Sequence, residues 1–448
     1  MSIFRAYDIR GIYGKDLTDS VAKNVGRAFG STFKGTCAVG FDVRLSSPAL
    51  SKSLIKGLLS TGMNVVDIGQ VPTPVLYFAI YHLGLEGGVM ITGSHNPPEY
   101  NGFKMWRGST TISGGEISEL GEITGKGVFK TGDGRLESRN VVPDYVRFVK
   151  ERIKLSKKLK VVADCANGTA GVIVPGIMRD LGCEVIELYS KPDGRFPNHP
   201  ADPTVDDNLK DLISAVKKEK ADLGIGYDGD ADRAGFISEK GEIIRGDQAL
   251  IFFSREILEK NPGAKIICEV KCSQALLEDV SAHGGKPIMY KTGHSFIKNK
   301  LKEEKALLAG EMSGHFYFAD DYPGYDDGIY ASLRMVQILS NSGKKMSDLL
   351  KTIPKYESTP EIRVDCPDDR KFQIVEEVSK ALQKKGLDVL TIDGARIQYP
   401  DGWGLIRASN TTPKLILRFE AKTKKRLQEI KKIILDELGK HTKVDIPH

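Results

Sequence analysis

An apolar strand that ends on a carboxylate occurs three times along this chain, and that recurrence constrains the fold more than any other feature. Residues 37–41 run into Asp42, residues 160–163 into Asp164, and residues 265–268 into Glu269. A second strand follows each of them, at 64–68, 183–188 and 286–290, and a third at 88–91, 222–227 and 306–310. Short apolar runs bounded by turn residues are the pattern of buried strands. The repeat has a period of roughly 110 residues, too long for a solenoid, and therefore predicts three α/β units of related topology. Helices are expected between the strands. Thr18 can cap one carrying Val21, Val25, Phe29 and Phe33, while Ser47-Pro48 and Thr73-Pro74 look like N-cap and N1 pairs opening two more.

Each third strand runs into an unusual loop, beginning at Thr92, Asp228 and Glu311. Ligands of α/β sheets gather beyond the carboxyl ends of the strands, so three such loops facing one cleft would form a composite site. After Ile353-Pro354-Lys355 the pattern changes. A helical segment (Phe372, Val375, Val378, Leu382) precedes strands at 388–392, 395–399, 404–407 and 414–419, and a helix with Leu427, Ile430, Ile433, Ile434 and Leu438 closes the chain. Strands joined by short polar turns predict an antiparallel α+β domain. A chain of 448 residues exceeds what one core usually holds. The expected layout is three related α/β domains with mixed sheets, at 1–140, 141–241 and 242–354, and an α+β domain with an antiparallel sheet at 355–448, around a central active-site cleft.

Composition narrows the function classes. With 40% hydrophobic and 28% charged residues the chain reads as a globular protein, and no apolar run nears the ~20 residues a membrane span requires. The basic cluster Lys422, Lys424, Lys425 and Arg426 opens an amphipathic helix, which suits a solvated helix face better than nucleic acid. A net charge of +6 suits an anionic small substrate. The six cysteines are scattered, with no C-x-x-C pair, as expected of reduced core thiols in a cytoplasmic protein.

The loops carry the chemistry. In Thr92-Gly93-Ser94-His95-Asn96-Pro97-Pro98, glycine, asparagine and prolines fix the backbone around one serine, although the same residues also make ordinary turns. A hydrolase elbow would need glycine where Asn96 stands. Asp228-Gly229-Asp230-Ala231-Asp232-Arg233 sets three carboxylates at alternate positions; pairs near 4 Å would repel by about 4 kcal/mol at a dielectric of 20, so the loop calls for a cation. An EF-hand is excluded, because its sixth position needs glycine and holds Arg233. Three carboxylates with phosphate oxygens suit Mg²⁺. Glu311, Ser313 and His315 can bond adjacent sugar hydroxyls, and Arg407-Ala408-Ser409-Asn410-Thr411-Thr412-Pro413 combines a guanidinium, hydroxyls and loop amides able to wrap a phosphate.

Taken together, these four segments resemble, in order and at appropriate spacing, the four signatures of the α-D-phosphohexomutases, and the opening Phe4-Arg5-Ala6-Tyr7-Asp8-Ile9-Arg10-Gly11 resembles the phosphomannomutase/phosphoglucomutase branch. The resemblance implies that Ser94 carries a phosphoryl group and that Asp228, Asp230 and Asp232, with Ser94's phosphate, hold Mg²⁺. Arg10, His95, Lys104 and Arg233 would surround the transferred phosphoryl, with Lys104 or His294 as the proton-transfer candidate and Arg10 as a substitute. Tyr7, Lys271, Thr292, Gly293 and His294 would line the cleft. Glu311, Ser313 and His315 would grip the sugar, and Arg407, Ser409, Asn410, Thr411 and Arg418 the distal phosphate.

The implied reaction converts hexose 1-phosphates to 6-phosphates through a 1,6-bisphosphate that turns over in the cleft, with glucose or mannose 1,6-bisphosphate as activator and no nucleic-acid or membrane partner. Met312 and Gly93 stand where phosphoglucosamine mutases usually carry glutamine and alanine, which favours mannose and glucose phosphates. A phosphoglucosamine mutase, a Mg²⁺-dependent phosphatase and a non-catalytic sugar-phosphate sensor are the alternatives. The sensor should have lost Ser94 or an aspartate, and neither is lost.

Overall fold

The computed structural model describes residues 3–5, 7–108, 110–409 and 412–442. In each of the first three units, the strand that ends on the acid lies in the middle of a parallel trio. Thr36–Phe41 pairs with Asn64–Gln70 and Gly87–Ile91, Lys160–Asp164 with Glu184–Leu188 and Leu223–Tyr227, and Lys265–Glu269 with Lys286–Tyr290 and Leu308–Gly310. The third strand then turns back into an antiparallel partner: Tyr100–Arg107, Ala234–Ser238 or Phe316–Phe318. These return strands were not read from the sequence. The three loops singled out above are therefore the same hairpin connection made three times.

The strand-end acids also share one task. Asp42 Oδ1 accepts the Arg44 amide at 2.9 Å, Asp164 Oδ1 the Ala166 amide at 3.0 Å, and Glu269 Oε2 the Lys271 amide at 2.9 Å. In each case the carboxylate satisfies the donor two residues on, where the chain leaves the sheet and its backbone would otherwise be unpaired. The fourth sheet, built from Glu357–Ser358, Ile362–Asp365, Asp388–Leu390, Ala395–Tyr399, Gly402–Ala408 and Lys414–Ala421, is antiparallel throughout.

The helix Asp19–Thr32 starts as expected, with Thr18 Oγ1 accepting the Val21 amide at 3.3 Å, a cap that contributes about 1 kcal/mol. Ser47 and Thr73 are not caps, however. Their helices, Ser47–Leu59 and Thr73–Leu83, begin one residue earlier than the pattern suggested, behind Ser46 and Pro72. Both hydroxyls serve acids instead, since Ser47 donates to Asp42 at 2.6 Å and Thr73 to Asp230 at 2.6 Å. In the last unit Phe372 is exposed and Ile374 takes the buried position in the helix Lys371–Lys384. Ile433 is also partly exposed on the closing helix Lys424–Leu438.

One apolar cluster runs without a break from the first unit to the third, including Phe78, Tyr145, Tyr227, Phe253 and Tyr330. The last unit has its own core around Ile397, Leu417, Phe419 and Ile430, and meets the third through Trp403 and Leu405 against Val270. Among the described residues, no helix is long and apolar enough to cross a membrane.

Asp327 ties the helix Val142–Lys150 to the third unit, accepting from the hydroxyls of Tyr145 (2.8 Å) and Tyr322 (2.5 Å) and from the Tyr330 amide (2.8 Å). Burial pushes its carboxyl up from 3.8 to about 6, against those hydrogen bonds. The folded state thus favours the protonated form. Its contribution is complete below the unfolded value of 3.8 and is lost as pH rises through about 6, a change of roughly 3 kcal/mol. Asp327→Asn should remove this component, so that the variant gains roughly 2 to 3 kcal/mol on the wild type between pH 4 and 7 in urea melts. A constant difference across that range would contradict the assignment.

Candidate active site

The serine loop places its one hydroxyl by an unusual backbone. Ser94 has φ +49°, a left-handed conformation that costs a non-glycine residue about 1 kcal/mol or more and that gathers at functional sites. Its side chain is buried, and Oγ donates to Asp228 Oδ2 at 2.9 Å and lies 3.2 Å from His95 Nδ1. Close approach of the second loop requires glycine at 229, where a Cβ would stand 2.6 Å from the Ser94 carbonyl oxygen. Arg10 donates to the Gly93 carbonyl at 2.9 Å and contacts the side chains of Asn96 and Asp8. Burial, reinforced by Arg233, Arg10 and Lys104, holds the His95 imidazole well below its ordinary value, so it is neutral.

The three aspartates converge as expected. Asp228, Asp230 and Asp232 are fully buried, and each offers an oxygen within 4.8 Å of the others. Burial, with repulsion from Asp230 and Asp232, raises Asp228 well above the usual carboxylate range. Lys104 Nζ sits 2.7 Å from Asp230 Oδ2 and contacts Asp232 Oδ2. Burial disfavours its charge, but the aspartates outweigh burial and hold it up as an ammonium. Asp230 Oδ1 and Asp232 Oδ1 are buried without a hydrogen-bond partner among the described residues. That is a donor set fit for a hard divalent cation.

In the third loop Glu311 accepts the Tyr317 hydroxyl at 2.6 Å, and burial raises its carboxyl. His315 Nε2 lies 3.0 Å from Arg233 Nε, and Nδ1 lies 3.1 Å from Asp326 Oδ2. Donation from Arg233 to Nε2 leaves the neutral ring's proton on Nδ1, the nitrogen nearest Asp326. His294 stacks on His315 at 5.9 Å, and burial and Lys298 keep it well below its ordinary value. Thr292 donates to Glu269 at 2.8 Å, while Gly293, at φ +132°, leaves room for the ring of Tyr7, whose hydroxyl donates to the Thr292 carbonyl at 3.2 Å. Lys271 faces Glu361 of the last unit at 3.3 Å.

Arg407 pairs with Asp393 at 3.1 Å, and Asp393 also accepts the Thr292 amide at 3.0 Å, so the last unit's loop lies against the third. Ser409 shares its hydroxyl with Thr412 at 2.8 Å. Arg418 donates to the Lys271 carbonyl. Asn410 and Thr411 lie outside the described residues. A cavity of about 530 Å³ is lined from all four units by His95, Arg233, Lys271, Met312, Ser313 and Arg418, with Glu361 at its edge. It is of the size and mixed polarity of a small-molecule site.

Sequence reasoning passed over Asp326, Asp393, Glu361 and Arg44, and took Thr73 for a cap. Only Arg44 had a signal: it stands two residues after its strand-end acid, as Lys271 does.

A serine hydroxyl facing three buried carboxylates, among neutral imidazoles and fixed cations, is the arrangement of a cation-assisted phosphoryl-transfer enzyme. Comparison with known proteins agrees. The description "Phosphoglucomutase/phosphomannomutase, alpha/beta/alpha domain I" matches residues 1–129, domain II residues 143–241, domain III residues 245–356, and the C-terminal domain of that family residues 361–437. The phosphomannomutase/phosphoglucomutase of Pseudomonas aeruginosa is 48% identical over 441 residues, covering 98% of this chain and 95% of that protein. A Neisseria gonorrhoeae phosphoglucomutase is 44% identical, covering 96% and 95%. The crystal structure of a phosphoglucomutase/phosphomannomutase family protein from Burkholderia thailandensis superimposes with a TM-score of 0.94 at 42% identity, covering 100% of this chain and 99% of that one. The chain belongs to the phosphoglucomutase/phosphomannomutase family.

Proposed function

We propose that the protein interconverts the 1- and 6-phosphates of mannose and glucose through a phosphoserine at Ser94 and a hexose 1,6-bisphosphate. The contact of Ser94 Oγ with Asp228 across two units carries this reading, and the relatives' activities support the sugars. In the forward step the P–O bond to Ser94 breaks as a P–O bond to the free sugar hydroxyl forms, and the hydroxyl proton leaves. The bisphosphate then turns over, and its other phosphate returns to Ser94. Arg10, His95, Lys104 and Arg233 offset charge on the moving phosphoryl. Tyr7, Lys271, Thr292, Gly293, Glu311 and Ser313 hold the sugar, and Arg407, Ser409, Asn410, Thr411 and Arg418 the distal phosphate.

For proton transfer, Lys104 is disfavoured as a base because Asp230 and Asp232 hold it charged. His294 is disfavoured because burial and Lys298 oppose its protonation. We assign the role to His315, whose Nδ1 lies 3.1 Å from Asp326 and whose Nε2, an acceptor from Arg233, is freed for a sugar hydroxyl once Arg233 turns to a phosphate. Asp228, Asp230 and Asp232, with an oxygen on Ser94, would hold Mg²⁺, which supplies charge neutralisation at the phosphoryl oxygens when bound. A hexose 1,6-bisphosphate, of glucose or mannose, would prime Ser94. Domain boundaries after 140 and 354 keep their sheets intact, whereas the one after 241 parts the short strand Ile243–Ile244 from its sheet partner Ala234–Ser238. Six buried free thiols suit a reducing cytoplasm.

The test is ³¹P NMR of the protein with Mg²⁺ and a trace of glucose 1,6-bisphosphate, offered mannose, glucose and glucosamine 1-phosphates separately. Mannose and glucose 1-phosphates should convert to 6-phosphates at least about tenfold faster than glucosamine 1-phosphate, a difference of ~1.4 kcal/mol in barrier. Free phosphate without isomer would make the protein a phosphatase, and preference for glucosamine 1-phosphate would overturn the sugar assignment.

A further inference from the structure

We propose that Arg44 is a positioning residue for phosphoryl transfer, holding the serine loop from beneath so that Ser94 faces the carboxylate triad. This rests on the reaction proposed above. Arg44 is 1% exposed, yet it belongs to no element of the cleft wall. Its Nη2 donates to the carbonyls of Ser94 (2.8 Å) and Asn96 (2.5 Å), and its Nη1 to those of Pro97 (2.5 Å) and Tyr100 (2.9 Å). Nε pairs with Asp42 Oδ2 at 3.2 Å, and the same oxygen accepts the Gly93 amide at 3.1 Å. One guanidinium and its acid thus fix five main-chain groups between Gly93 and Tyr100.

Loop composition follows from that contact. A Cβ at Gly93 would stand 2.4 Å from the guanidinium carbon, so glycine before the serine lets the cation sit in this position without shifting. Beside two turn bonds within the loop, Asn96 N–H to Gly93 O at 3.0 Å and Tyr100 N–H to Pro97 O at 3.1 Å, four carbonyls turn inward to the cation around Ser94 at φ +49°. A planar fork with five donors can do this, whereas a lysine ammonium, a point charge with three, cannot serve four carbonyls in the same plane.

The second unit closes the arrangement. Phe196 lies over the guanidinium, its ring centre 5.1 Å from Cζ, and Gly194 packs so tightly that a Cβ would stand 2.4 Å from the Val43 carbonyl oxygen. The serine loop is therefore locked both to its own sheet and to the unit that carries the aspartates. The threefold repeat gives Arg44 an independent meaning. The residue two places after the strand-end acid is Arg44 in the first unit, Ala166 in the second and Lys271 in the third. Lys271 turns its cation into the cleft toward Glu361. In the first unit the cation at the same place is turned under the loop, where it acts on the nucleophile's backbone and not on a ligand.

The experiment compares wild type, Arg44→Lys and Arg44→Ala. Each is phosphorylated with glucose 1,6-bisphosphate, and single-turnover transfer to glucose 6-phosphate is followed by quenched flow, with Mg²⁺ affinity measured by calorimetry. Transfer should slow about 10²-fold in Arg44→Ala and about tenfold in Arg44→Lys, the scale of a nucleophile displaced by an ångström or less, with KM and Mg²⁺ affinity within about threefold of wild type. Added guanidinium ion should restore transfer at least about tenfold in Arg44→Ala at concentrations where urea and NaCl do not. Transfer within about threefold of wild type in both variants, or a loss that tracks Mg²⁺ affinity and resists guanidinium, would overturn the proposal. Arg44→Lys keeps the charge beside Asp42 and serves as the test if Arg44→Ala fails to fold. Absence of transfer in the wild type would fail the reaction itself, an outcome distinct from an active wild type with unaffected variants.

Discussion

Replacing Ser94 with alanine is expected to lower kcat by on the order of 10⁴-fold or more, because it removes the atom that carries the phosphoryl group and leaves no other hydroxyl on the loop tip. Ser94 Oγ bonds to Asp228 and lies against His95, and alanine removes only that hydroxyl, so the fold should be preserved and the KM for a hexose monophosphate should change little. Mg²⁺ affinity of the unphosphorylated protein should stay within a few-fold, since the triad supplies the charge. Ser94→Ala should also fail to take up phosphate from glucose 1,6-bisphosphate, seen as loss of a phosphomonoester signal in the ³¹P spectrum and of the corresponding mass. Retention of a tenth of wild-type turnover would exclude Ser94 as the nucleophile.

The second large effect concerns stability. Lys104 is 3% exposed and its ammonium lies against two aspartates that are fully buried. Lys104→Met keeps the apolar stem but leaves three buried carboxylates without that cation, and removing one partner of a buried ion pair typically costs about 3 to 5 kcal/mol. Urea melts at pH 7.5 in a chelator should show a loss of that size. Mg²⁺ should restore much of it, and stabilise the variant more than the wild type, because a ligand that binds only the folded state adds RT ln(1 + [L]/Kd). The loss should shrink toward pH 5, where Asp228, already disposed to hold a proton by burial and by repulsion from Asp230 and Asp232, can be neutralised. A variant as stable as wild type in chelator would show that the ion pair contributes nothing to the fold.

Much of the site was legible before the fold was known, because its chemistry is written in short segments. Three carboxylates at alternate positions, a serine amid glycine and proline, and strands ending on acids are local patterns whose meaning depends on residues a few positions apart. Boundaries and partners were less legible. The hydroxyls of Ser47 and Thr73 sit next to prolines and so resemble caps, but their acids, Asp42 and Asp230, decide their direction, and Thr73 meets its acid across 157 positions of chain. Phe372 and Ile374 compete for one buried position on a helix, and only the packing of the last sheet against it chooses Ile374.

By itself, the sequence determined the kinds of groups available: a nucleophile, a cation-binding triad, sugar-gripping polar residues, and three strand trios able to present them at their carboxyl ends. Only the tertiary structure decided that Ser94 meets Asp228 across 134 positions, that Lys104 is locked between Asp230 and Asp232, that His315 lies beside Asp326, and that Arg44 lies beneath the serine loop. The physical reason is range. Propensity, capping and turn chemistry act between neighbours in the chain, whereas hydrogen bonds and buried charges act between neighbours in space, and the packing of the units against one another is what makes those two sets of neighbours different.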